Sequence, residues 1–135
     1  MSVIAFNFTK INAERKEQTK GQININNSVV IKDVVKTNLA LGPQSQDVAR
    51  VTFEFTSTYM PNRGIISLEG EVIELSKPDV LDSMVKSWKK DKKLPQEQSR
   101  SVINHILGKC NVEAIIISRE LGLPSPIELP RIAAK

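Results

Sequence analysis

Apolar and polar residues alternate along the first half of the chain and change to helical spacing in the second. The clearest alternation sets Val51, Phe53 and Phe55 against Thr52, Glu54 and Thr56, and Ser57 and Tyr59 continue the phenylalanine face. A strand with one buried face needs that pattern. Beyond Pro61-Asn62-Arg63-Gly64, Ile66, Leu68, Gly70 and Val72 fall on one side and Ser67, Glu69 and Glu71 on the other. Two alternating runs joined by a short Pro/Asn/Gly turn predict a β-hairpin. Upstream, Ile23, Ile25, Val29 and Ile31 share one face of a long strand, with Asn24, Asn26 and Ser28 opposite. The opening segment places Ile4, Phe6 and Phe8 on one face and then Ile11 and Ala13 in the opposite phase. A slip of phase near Thr9-Lys10 predicts a bulge or sharp bend. Residues 41–47 (LGPQSQD) are turn formers and are expected to link the second and third strands.

From residue 77 onward the spacing is helical. Pro78 sits just inside a helix start, with Asp79 and Asp82 where carboxylates favour the helix dipole. Leu81, Met84, Val85 and Trp88 then recur on one face until the run KKDKK interrupts them. Pro95 opens a second helix with Glu97 in its first turn. Its expected stripe is Ile103, Ile106, Leu107, Cys110, Ala114, Ile117 and Leu121, over a length of about 40 Å. Gly122 is a natural left-handed stop, and Leu123 can fold back on the last turn. The apolar, proline-spaced tail that follows needs a surface to lie on, either its own sheet or a neighbouring subunit. Ile115 and Ile116 widen the apolar surface of this helix beyond one stripe, which argues for an oligomer.

Strands first and helices second predict an α+β fold, a four-stranded antiparallel sheet followed by two C-terminal helices packed on one face. A length of 135 residues fits a single domain: the sheet in 1–76, the helices in 77–123 and the apolar tail in 124–135.

Charge refines this picture. The chain carries +4, and residues 77–109, with eight cations and four carboxylates, hold the whole excess. The body is neutral and one segment is basic. The single cysteine excludes an intrachain disulfide, and the first residues lack the form of a signal peptide. No run reaches the roughly 18 apolar residues of a membrane span. These features predict a cytoplasmic protein that does not enter the membrane.

Residues for bond chemistry are sparse. His105 and Cys110 are five apart on one helix and point in different directions, so a Cys–His nucleophile pair is not expected. One Cys and one His do not supply a zinc site, and none of the six glycines forms a phosphate-cradling loop. Glu69, Glu71 and Glu74 could offer carboxylates, but two of them alternate outward on a strand and read as a solvated face. The expectation is a protein without enzymatic activity, metal or cofactor.

Two features remain to carry function. Phe53 and Phe55 line one strand face, while Tyr59, Met60 and Trp88 lie near element ends, where they would rim a groove. Aromatic and Met side chains adapt to varied peptides. The other feature is WKKDKK (88–93): Lys86, Lys89, Lys90, Lys92, Lys93 and Arg100 would make sequence-independent phosphate contacts on RNA or a ribosome, with the tryptophan beside them to stack on a base.

The opening FNFTKINAERKE, the hairpin VARVTFEF…GIISLEGEVIEL and the end ILGKCNVEAIIISRELGLPSPIELPRI together resemble the SecB export chaperone family, especially its small archaeal SecB-like relatives. The resemblance spans nearly the whole chain through diffuse motifs. It implies an ATP-independent chaperone, a homo-oligomer (dimer or tetramer, the tetramer built as a dimer of dimers) that holds unfolded polypeptide clients in long grooves. Carried over by position, the groove would involve Phe53, Phe55, Tyr59, Met60 and Trp88. Bacterial SecB proteins are acidic with a metal-binding tail, and this basic chain has neither feature.

Overall fold

The hairpin expected around residues 61–64 organises the sheet. In the computed structural model, which describes residues 2–16 and 21–127, the elements are β1 (Ser2–Arg15), β2 (Asn24–Leu41), β3 (Gln44–Met60), β4 (Gly64–Leu75), α1 (Pro78–Asp91) and α2 (Gln96–Leu121). All strand pairs are antiparallel, and the order across the sheet is β1-β4-β3-β2. The β3–β4 hairpin therefore lies in the centre, and β1 and β2 form the two edges.

The register explains the change of phase in β1. Phe8 pairs with Gly70 but Lys10 pairs with Glu69, so the slip falls where the sequence pattern breaks. It returns Ile11 and Ala13 to the face carrying Leu68 and Ile66. A second slip in β1, between Val3 and Ala5, takes Ile4 off the face expected for it: Val3 packs against the core with Phe6 and Phe8, and Ile4 is exposed. One in β2, between Ile31 and Asp33, passes the buried phase from Ile31 to Val34.

The expected loop at 41–47 is shorter in the structure. Leu41 already pairs with Gln44, and only Gly42 and Pro43 form the turn, with Gly42 at φ +70°. Gln44, Ser45, Gln46 and Asp47 are strand residues that pair with β2 alone, because β4 does not join β3 until Ala49. They are polar because this end of the hairpin stands in solvent, not because the chain turns there.

One face of the sheet is apolar and covered. Val51, Phe53, Phe55, Tyr59, Ile66, Leu68 and Val72 are fully buried beneath the helices. Burying such side chains contributes about 1.5–3 kcal/mol each. The opposite face carries solvent-screened ion pairs such as Lys32–Glu69 at 2.8 Å, which add little, so the covered face dominates stability. Phe6 stacks on Phe53 with ring centroids 5.2 Å apart, and Phe8 meets Phe6 edge-on at 5.1 Å. Gly70 makes room for this cluster: a Cβ there would stand 2.8 Å from Phe53 Cζ and collide with the Asn7 carbonyl oxygen.

The helices divide the cover. α1 lies over β2 and β3 through Leu81, Met84 and Trp88, and α2 lies over β4 and β1. The interruption expected at KKDKK falls at Lys92, which adopts φ 58° and donates its N–H to the Trp88 carbonyl at 2.8 Å. The buried line of α2 is Val102, Ile106, Cys110, Ala114 and Ser118. The expected stripe is thus rotated: Ile103, Leu107, Ile117 and Leu121 flank the contact half-buried, while small side chains sit where the helix meets the sheet. Val112 and Ile116 face outward, 59% and 40% exposed.

Gly122 ends α2 in the left-handed region at φ 66°, and the Leu123 N–H returns to the Ser118 carbonyl at 2.8 Å. Leu123 is buried, the Tyr59 hydroxyl donates to the Pro124 carbonyl at 2.7 Å, and Asn27 Nδ2 donates to the Pro126 carbonyl at 3.0 Å. The start of the tail therefore lies on the chain's own sheet, over β2 and β3. The remainder, 128–135, is outside the described residues.

Gly70→Ala is expected to lower stability by about 3 kcal/mol, the cost of forcing an extra group into a well-packed core. The measurement is the urea midpoint at unchanged slope. An unaltered midpoint would show that Phe53 yields without cost.

Candidate functional site: a cleft at the edge of the sheet

The connection between the helices is pinned against β2. Trp88, at the end of α1, is only 6% exposed, and Lys92 Nζ stands over its ring at 5.7 Å from the centroid. Ser87 Oγ donates to the Lys93 carbonyl at 2.7 Å, holding the turn back against α1. Leu94 is buried as the chain crosses to α2. Between this connection, the first turns of α2 and Val29–Ile31 of β2 lies a cleft of about 590 Å³. Its apolar lining is Val29, Val30, Ile31, Trp88, Leu94 and Ile103. Its charged lining is wholly cationic: Lys92, Lys93 and Arg100. As the sheet edge, β2 leaves the outward backbone groups along this wall unpaired with any strand among the described residues.

The residues singled out in the sequence divide here. Trp88 lines the cleft, but Phe53, Phe55 and Tyr59 are 0% exposed and do not form an open groove in this chain. The reason is their phase: they share the face that the helices cover, and the tail accepts the Tyr59 hydroxyl bond. Met60 is exposed but pairs with Asn24 at the strand end, away from the cleft. Of the six cations, Lys92, Lys93 and Arg100 line the cleft, whereas Lys86, Lys89 and Lys90 are exposed on α1 outside it. The sequence reading missed the β2 wall. Its signal was Val30, an apolar residue on the polar side of the alternation, which is 54% exposed in the structure.

Ion pairs lie on the sheet and at the start of α1. On the open face Lys32 bonds Glu69 and lies 4.0 Å from Glu54, and Lys10 lies 4.0 Å from Glu69. The hydrogen bond from Lys32 holds the Glu69 carboxyl below its usual range and raises the Lys32 ammonium in turn. Lys36 similarly meets Asp82 at 3.0 Å. Among the described residues no carboxylate lies within salt-bridge distance of the three cleft cations.

Potentially reactive groups are buried away from the cleft. Burial pushes the Cys110 thiol up to about 12, which leaves no nucleophilic thiolate at neutral pH. His105 is half-buried against Phe6, its ring centroid 5.7 Å from the phenylalanine. Glu74 falls in phase with Gly70 and Val72, not with the outward-facing Glu69 and Glu71. It lies on the covered side of β4 between Ala49 and Val3, fully buried, and neither carboxylate oxygen has a hydrogen-bond partner among the described residues. Burial raises its pKa to about 7. Among the described residues no group of three or more His, Cys, Asp or Glu side chains is placed to hold a metal ion, and no helix is long and apolar enough to cross a membrane.

The architecture resembles that of a SecB-like chaperone of Mycobacterium tuberculosis, solved in complex with a ChAD peptide from the HigA1 antitoxin. The TM-score is 0.50 at 10% sequence identity, over 99% of this chain and 91% of that one. No protein-family model matches the sequence, and neither does any curated protein. At that identity the likeness establishes the fold: an antiparallel four-stranded sheet followed by two helices, in the SecB-like arrangement.

Glu74 makes a testable contribution to stability. Its folded pKa of about 7 lies above the ordinary 4.5, so the folded state holds the proton more tightly than the unfolded chain. Stability from this group is highest below pH 4.5, declines as pH rises towards 7 and is level above that. The total is at most about 3 kcal/mol. Glu74→Gln is expected to remove that slope and to be more stable than the parent in alkaline buffer, measured by urea unfolding across a pH series. An identical slope in the variant would assign the pH dependence elsewhere.

Proposed function

We propose that this chain is a non-catalytic, SecB-like polypeptide-binding module that holds extended, unfolded segments of clients in the cleft beside β2 without ATP. The observation that carries this reading is the cleft itself, with its apolar lining and an edge strand that no other strand pairs with among the described residues. An extended peptide presents alternating side chains and free backbone groups, which suits such a site. The structural neighbour supports the reading, since it was solved with a peptide bound. Within this proposal the protein is cytoplasmic and works as a homo-oligomer, a dimer or tetramer. Val112 and Ile116, both exposed on α2, are the side chains best suited to pack against another subunit.

A second reading is docking on RNA or a ribosome through residues 86–100. The exposed cations favour it, but they divide between the cleft and the outer side of α1. Trp88, mostly buried and capped by Lys92, offers little ring surface for a base.

The protein is expected to suppress aggregation of a chemically unfolded client at near-stoichiometric amounts, with and without ATP, measured by light scattering. No suppression by folded protein would remove the holding function. Salt-sensitive co-sedimentation with ribosomes in its place would favour the second reading.

A further inference from the structure

We infer that the cleft selects acidic client segments, in which apolar residues are interspersed with aspartate or glutamate. This rests on the peptide-binding reading above and specifies its ligand. Lys32, Lys36 and Lys10 are each within salt-bridge distance of a carboxylate on the sheet or on α1. Lys92, Lys93 and Arg100 converge on one cleft, and none of them meets a carboxylate within that distance among the described residues. Exposed lysines such as Lys86, Lys89 and Lys90 also lack such a partner among the described residues, but only Lys92, Lys93 and Arg100 stand together beside an apolar lining, where an extended chain would lie.

The neighbouring chemistry adds to this field. No Asp or Glu lines the cleft; Glu97 lines an adjoining depression that shares Gln96 and Arg100 with it, and makes no salt bridge to Arg100. The start of α2 has no side-chain cap, so its free N–H groups contribute potential of the same sign. The apolar lining supplies the sequence-tolerant part of binding, and the three cations set its sign. A basic segment meets repulsion and an acidic one meets up to three charge-assisted hydrogen bonds, one of them bidentate at Arg100. Single-stranded nucleic acid also carries negative charge, but the cleft is lined by aliphatic side chains and the wall of an edge strand, which suit a polypeptide better than a base.

The test uses the full-length chain and its one tryptophan, Trp88, whose fluorescence reports occupancy of the cleft. Three synthetic peptides share an identical apolar framework and differ only at alternate positions, filled with Asp, Ser or Lys. The Asp peptide is expected to bind roughly tenfold tighter than the Ser peptide, about 1.4 kcal/mol, and the Lys peptide more weakly than both. The difference should shrink as added salt shortens the screening length. A Lys93→Glu/Arg100→Glu variant, folded by its unfolding transition, is expected to invert the order and favour the Lys peptide. Equal binding of the three, or an unchanged order in the variant, overturns the charge selection and leaves the peptide-binding reading in place. Absence of binding by all three removes both. Tighter binding of a uridine oligonucleotide than of the Asp peptide, lost in the same variant, would assign the cleft to phosphate and overturn the inference.

Discussion

The Phe53 ring occupies the space above the bare backbone of Gly70, Phe6 stacks beside it, and His105 of α2 rests on Phe6. This contact runs from the centre of the sheet to the covering helix, and it fixes the height at which α2 lies. A bulkier residue at position 70 would lift Phe53, then Phe6, then the helix. The small side chains Cys110, Ala114 and Ser118 continue the same close approach farther along α2. The position of α2 in turn places Pro95 and the Trp88–Leu94 connection, and so the cleft against β2. The candidate site is thus a consequence of core packing, although none of the core aromatics reaches it.

Most of the fold was legible in the sequence, because most of the chain lies in elements with one buried face. The slip at Thr9 was visible because it moved apolar residues from one phase to the other. The slip between Ile31 and Asp33 was not, because charged residues flank it at Lys32 and Asp33. Gln44–Asp47 misled for a different reason: a two-stranded extension outside the body needs no apolar face, so its composition is that of a loop. Periodicity also located the stripe of α2 only to within a rotation. The large residues Ile103 and Ile117 attract attention in a sequence, yet the line of contact runs through smaller ones.

The site was less legible than the fold. Alternation marks which residues are apolar but not whether a helix will cover them, so Phe53 and Phe55 read first as core and entered the groove through the resemblance, while Tyr59 looked like a rim residue because it lies near a strand end. Trp88 and the cations beside it were identifiable because aromatic and charged residues cluster in one short segment. Their partner wall on β2 was not, since it comes from residues some sixty positions away, and only the antiparallel order β1-β4-β3-β2 puts that strand at the edge. Glu74 is a case in reverse: alternation sets it in phase with Gly70 and Val72 on the side the helices cover, although a carboxylate by itself argues for solvent.

The burial of Cys110 has a consequence for the chain in an oxidising environment. Oxidants and thiol reagents attack the thiolate, and the only sulfhydryl in this protein is both inaccessible and held in its neutral form. While α2 remains docked, peroxide has no thiol to convert and one chain cannot be disulfide-linked to another. The thiol would become open to oxidation only after the longest helix had left the sheet, whereas the exposed Met60 thioether has no such protection.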